Sequence, residues 1–226
     1  MQIFVFEPRG DVPHPGIIVC QHLPVAHTGI EEELFTLDIG EKLSTAGSIA
    51  VIPFISNWWA PEYPMKKKRD SWREDRTILD LRAIWALSSS RSDIFSDCIG
   101  MMGHCWGGRV SRLAACKNPE YKAAAIFEGG RVKFGLGPEE TPPIERSDNI
   151  NCSVLGIFGN DDQAPPPQDV RDFDRALNRS NVKHEFYCYS RVGQGFRDFV
   201  NKQRRRATQM AEAWIKFFDF MVRHVR

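Results

Sequence analysis

The chain has 226 residues, 42% of them hydrophobic and 26% charged, with 30 Lys and Arg against 29 Asp and Glu. A net charge of +1 removes the electrostatic case for nucleic acid or a membrane surface as the main partner. No apolar run reaches the length of a membrane span, and no linker or internal repeat divides the chain, so residues 1–226 read as one domain.

The start, Met1 to Phe6, lacks the basic lead and long apolar run of a secretory signal. It reads instead as a strand, Gln2–Phe6, followed by a second, Gly16–Gln21. A helix over Glu31–Thr45 and a strand over Ser48–Pro53 come next. The run Lys66-Lys67-Lys68-Arg69 reads as a solvated loop, with contact to an acidic substrate as the alternative. A helix over Arg76–Ser89, a strand over Cys98–Gly103 and a helix over Gly107–Cys116 form the middle of the chain. Strands at Ala123–Phe127, Val154–Gly159 and Glu185–Ser190 then alternate with helices at Pro167–Arg179 and Arg206–Val225. The last helix carries an apolar stripe, Met210, Ala213, Trp214, Phe217, Phe218 and Met221, that reads as core packing.

The interior strands are apolar on consecutive positions, as strands covered on both faces are. Alternating β and α elements then predict an α/β fold with a doubly wound, mostly parallel sheet flanked by helices. Such sheets bind ligands beyond the carboxyl ends of their strands. The six cysteines are scattered, with no C-x-x-C pair, which fits reduced thiols and a cytoplasmic setting.

One of those strand ends carries Gly103-His104-Cys105-Trp106-Gly107-Gly108. The order strand, Gly-x-nucleophile-x-Gly turn, helix is a nucleophile elbow, in which the turn lifts the central side chain above the sheet and aims a helix N-terminus at it. That helix end favours thiolate over thiol at Cys105. The bland alternative is a buried, inert cysteine in a glycine-rich turn.

With two further segments, Gly159-Asn160-Asp161-Asp162-Gln163-Ala164-Pro165 and Tyr189-Ser190-Arg191-Val192-Gly193-Gln194-Gly195-Phe196, the chain resembles the dienelactone hydrolase family of α/β-hydrolases over nearly its whole length. The resemblance implies an ester or lactone hydrolase in which Cys105 is the nucleophile and Asp162 the triad acid, with Asp161 as the fallback. The third segment departs from the family pattern Y-x-x-A-G-H-x-F, because Gln194 stands where the family has its histidine base. An amide accepts no proton near neutral pH, and whether Gln194 is a natural divergence or an engineered replacement is left open. His22, in Gln21-His22-Leu23 after the second strand, is the candidate substitute base, paired with the Cys105 thiolate. His27 in the same loop is a weaker one. His104 reads as structural.

Backbone amides of Leu23 and Trp106 are the expected oxyanion-hole donors. Trp58 and Trp59, with Trp106, are candidates for lining an apolar pocket. Arg197, and less directly Arg69, are candidates for pairing with a substrate carboxylate. No metal site and no nucleotide-binding loop emerges, so no cofactor is expected. The expected partner is a small ester or lactone, with monomer and homodimer both open. Two rival readings are a binding protein that keeps the pocket without the turnover, and an isomerase or lyase in which His22 and the thiol act without water.

Overall fold

The computed structural model describes residues 1–10, 13–22, 33–55, 57–60, 62–135, 141–197 and 203–225. Its frame is a seven-stranded sheet built from β1 (Ile3–Phe6), β2 (His14–Cys20), β3 (Ile49–Pro53), β4 (Ile94–His104), β5 (Ala123–Phe127), β6 (Ser153–Gly159) and β7 (His184–Tyr189). The spatial order is β1-β3-β2-β4-β5-β6-β7, and only β1 runs antiparallel to its neighbour. The helices are α1 (Leu34–Thr45), α2 (Met65–Asp70), α3 (Glu74–Ser90), α4 (Trp106–Lys117), α5 (Pro167–Arg179) and α6 (Ala207–His224). Among the described residues no helix is long and apolar enough to cross a membrane.

Consecutive apolar positions arise because successive side chains feed two separate cores. On one face Ile18, Cys20, Met101, Ala124, Ile126 and Val154 pack with side chains of α3, α4 and α5. On the other, Ile17, Val19, Met102, Ala125, Phe127, Leu155 and Ile157 pack with α1 and α6, whose stripe buries Ala213, Phe217 and Met221. Period-2 alternation is hidden because both faces need apolar groups.

Two expectations are corrected. The run Lys66 to Arg69 lies in the short helix α2 rather than a loop, and Lys68 is buried, only 3% exposed. Burial depresses its ammonium, against the pull of Glu62. Strand β4 starts at Ile94, four residues before the expected Cys98, because Ile94 pairs with His14 ahead of a register shift. That irregular lead-in hides the start of the strand from a pattern reading.

Candidate active site

The elbow is set by close backbone approach. A Cβ on Gly103 would lie 2.2 Å from the Gly107 carbonyl, and one on Gly107 would lie 2.0 Å from the Cys20 carbonyl oxygen. Only glycine permits α4 to start this close to β2 and β4. The turn between them leaves Cys105 at φ 50° and ψ −110°, a conformation that side-chain-bearing residues seldom adopt. Its N–H donates to the Phe127 carbonyl at 2.8 Å and its own carbonyl accepts from Arg109 N–H at 3.2 Å. Cys105 is partly exposed, while Cys20 and Cys116 lie buried.

Cys105 is also the N-cap of α4, which has no side-chain cap. The first-turn amides, Trp106 among them, have no intrahelical acceptor and point toward the cap with the positive end of the helix. Leu23 and His27 lie outside the described residues. The Trp106 side chain is buried and turns away from solvent, 5.0 Å from Trp72, which in turn lies 5.3 Å from the half-buried Trp59. Trp58 does not join this run. It is exposed, donates to Asp80 Oδ2 at 2.7 Å and lies under the Arg76 guanidinium.

The register of β2 with β4 pairs Cys20 with Gly103. His22 follows two residues after Cys20, past the end of β2. The His22 ring packs edge-on against Phe35, 4.9 Å between centroids, and its Nε2 lies 3.8 Å from Glu33 Oε1. Glu33 is itself fixed as the N-cap of α1, accepting Thr36 N–H at 2.8 Å. His22 Nδ1 is buried without a hydrogen-bond partner among the described residues. His104 points to the α1/α6 face, where it stacks on Phe127 at 4.7 Å. Burial, with Arg197 and His22 nearby, holds His104 neutral.

The acid loop separates its two aspartates. Asp161 is exposed, whereas Asp162 is 1% exposed and accepts Ala164 N–H at 2.8 Å. Burial raises the Asp162 carboxyl above the usual range, partly offset by the Ala164 and Gln163 amides. Gln194 reaches this carboxylate. The orientation that satisfies both ends of its amide places the nitrogen 2.8 Å from Asp162 Oδ2 and 2.8 Å from the Ala164 carbonyl. Backbone bonds from Asn160 to Tyr189 and from Asp161 to Val192 tie the two loops together.

Arg197 is not at a surface a substrate reaches in this structure. It is 2% exposed, with its guanidinium 3.9 Å from the Phe127 ring and 4.3 Å from Trp214. Arg69 is exposed and pairs with its neighbour Asp70. Two residues escaped the sequence reading: Glu33, and Glu128 at the end of β5, whose carboxylate accepts Gly195 N–H at 2.9 Å. For Glu128 the sequence offers only its place directly past the carboxyl end of a parallel strand, which by itself assigns no role. Among the described residues no cluster of three or more metal-ligating side chains occurs.

The comparisons with known proteins agree with this architecture. The model of the "Dienelactone hydrolase family" matches residues 1–225. A "Putative carboxymethylenebutenolidase" of Salmonella typhimurium is 33% identical over 191 residues, covering 80% of this chain and 67% of that protein. A protein of the same name from Synechocystis sp. is 25% identical over 224 residues, covering 94% and 87%. Among solved structures, that of a "Putative Dienelactone Hydrolase" from Klebsiella pneumoniae subsp. pneumoniae superposes with a TM-score of 0.84 at 20% identity, covering 99% of this chain and 100% of that one. This likeness shows a shared α/β-hydrolase fold. The chain belongs to the dienelactone hydrolase family of hydrolases.

Proposed function

We propose that this hydrolase cleaves a small ester or lactone through a covalent intermediate on Cys105. The observation that carries the reading is the Cys105 backbone at φ 50° and ψ −110°, strained between β4 and an uncapped helix N-terminus. Strain of this kind persists where the surrounding fold over-determines it, and in a nucleophile elbow it is the conformation that lifts the central side chain above the sheet.

The Cys105 thiolate bonds to the carbonyl carbon, and the oxyanion that forms is held by the Trp106 amide and, in this reading, the amide of residue 23. The tetrahedral centre then collapses with cleavage of the carbon–oxygen single bond. The departing alkoxide takes up a proton from His22 and the acyl group stays on sulfur. Water adds to the thioester, His22 accepts its proton, and the thiolate leaves as the carboxylic acid forms. Glu33 orients His22. Asp162 holds the Gln194 amide in place of a base, so deacylation is the slow step. Of the three tryptophans, the half-buried Trp59 is the one we assign to an apolar acyl site, since Trp106 packs in the core and Trp58 is bonded to Asp80, and a substrate carboxylate is an optional feature. We place the protein in a reducing, cytoplasmic compartment, as one domain acting as a monomer or homodimer, in keeping with six cysteines and no disulfide among the described residues.

A second reading is a ligand-binding protein of reduced activity, favoured by the Asp162–Gln194 pair, which satisfies the acid without any base. Mass spectrometry after incubation with p-nitrophenyl acetate tests the main reading. An acetyl adduct mapped to Cys105, and absent from Cys105→Ala, is expected. No adduct on Cys105 would overturn it.

A further inference from the structure

Glu128 is a buried acid that the proposed mechanism does not use. It follows Phe127 at the carboxyl end of β5 with φ 52° and is 2% exposed. Its own N–H donates to the Ile157 carbonyl at 2.9 Å, which anchors it to β6. Its carboxylate accepts two consecutive amides from the turn past β7, Gly195 N–H at 2.9 Å and Phe196 N–H at 3.3 Å. Those amides directly follow Gln194, whose side chain donates to Asp162. A residue one step upstream, Phe127, accepts the Cys105 amide. Phe127 and Glu128 therefore bind the elbow on one side and the Gln194 turn on the other.

The charges that face Glu128 come from three directions. Asp162 in the loop after β6 disfavours its ionisation, while Arg197 and the Gly195 and Phe196 amides favour it. Arg197 is in turn influenced by Asp38 of α1 and Tyr189 of β7, and it bears on His104 of β4. Its guanidinium nitrogens Nε, Nη1 and Nη2 have no hydrogen-bond partner among the described residues, and Glu128 is the charge that acts on it most strongly.

We propose that Glu128 is a positioning residue whose ionised carboxylate clamps the Gly195 and Phe196 amides and so holds Gln194 against Asp162. The inference rests on the reading of Asp162 and Gln194 as part of the active site. An ionised carboxylate accepts both amides, whereas protonation turns one oxygen into a hydroxyl donor and loosens that end. Burial is the main reason Glu128 is pushed up to about 7, so the clamp engages across neutral pH.

Hydrogen exchange followed by NMR on the wild-type protein between pH 6 and 8 tests the clamp without any substrate. Protection factors for Gly195 and Phe196, corrected for intrinsic exchange, should rise about tenfold, as the ionised fraction does around such a midpoint. The Glu128 amide, bonded to Ile157, should stay level. Glu128→Gln should abolish the rise and Glu128→Asp should retain part of it. In parallel, the pH profile of Cys105 acetylation by p-nitrophenyl acetate should lose an inflection near neutrality in Glu128→Gln. Level protection of Gly195 and Phe196 in the wild type overturns the proposal, and this holds even if Glu128→Gln does not fold. A normal rise in protection with no adduct on Cys105 keeps the clamp and removes the acyl-transfer reading instead.

Discussion

The two sides of the candidate site are built by different kinds of interaction. At the elbow, six consecutive residues set the geometry, with Gly103 and Gly107 permitting contacts that any Cβ would block. At the Gln194 turn, position depends on Glu128, 67 residues before Gly195, and on Asp162, 32 residues before Gln194. The first side tolerates almost no change in shape. The second is assembled from separate loops that meet through hydrogen bonds.

The sharpest way to break this comparison is Gly107→Ala. Its Cβ would fall 2.0 Å from the Cys20 carbonyl oxygen, so the helix or β2 must move. A loss of more than about 3 kcal/mol in urea unfolding is expected. A loss under about 0.5 kcal/mol would mean the elbow is not held by this approach.

The opposite side should accept its change. Gln194→His places a ring beside Asp162, and ester turnover should rise about 10²-fold, within the range for a positioned general base. Stability should stay within about 1 kcal/mol of the parent. Unchanged zero turnover across a panel of esters would favour the binding-protein reading or different chemistry.

The smallest effect concerns pH. Glu128 is raised from the ordinary glutamate range to about 7, so between those limits the native state keeps a proton that the unfolded chain has released. Its contribution to stability therefore falls as pH rises through that window and is level above it. His104, depressed by burial, acts in the opposite direction below the ordinary histidine range. The difference in unfolding free energy between wild type and Glu128→Gln cancels that second effect. This difference should shrink, or turn against the wild type, by on the order of 1 kcal/mol from pH 5 to pH 8. A difference that grows with pH would reverse the assignment of burial as the main cause.

Local chemistry made much of this legible in the sequence. Ala123–Phe127 and Pro167–Arg179 run over the expected residues because an uninterrupted apolar run and an opening proline mark their limits. The elbow was visible for the same reason, since its glycines are neighbours in sequence. Glu128 was not, because a carboxylate after a strand acquires meaning only from the amides that reach it across the fold. Helix α2 was hidden by its charge: Lys66 to Arg69 signals solvent, yet burial of Trp72 just beyond and of the Lys68 stem draws the segment into a helix. Arg197 was misleading in the reverse sense. Its type suggests an accessible anion contact, but two aromatic faces enclose it.

The joint formed by Phe127 and Glu128 has a consequence for how the molecule can be rebuilt. Insertions in the loops around it alter what approaches from outside, but a residue added between these two would shift the thiol and the amide-bearing turn out of phase with one another. Grafting the chemistry onto a different scaffold would thus require this dipeptide to travel with Cys105 as a fixed spacer. A chimera that carried the three loops without it would inherit the parts and lose their alignment.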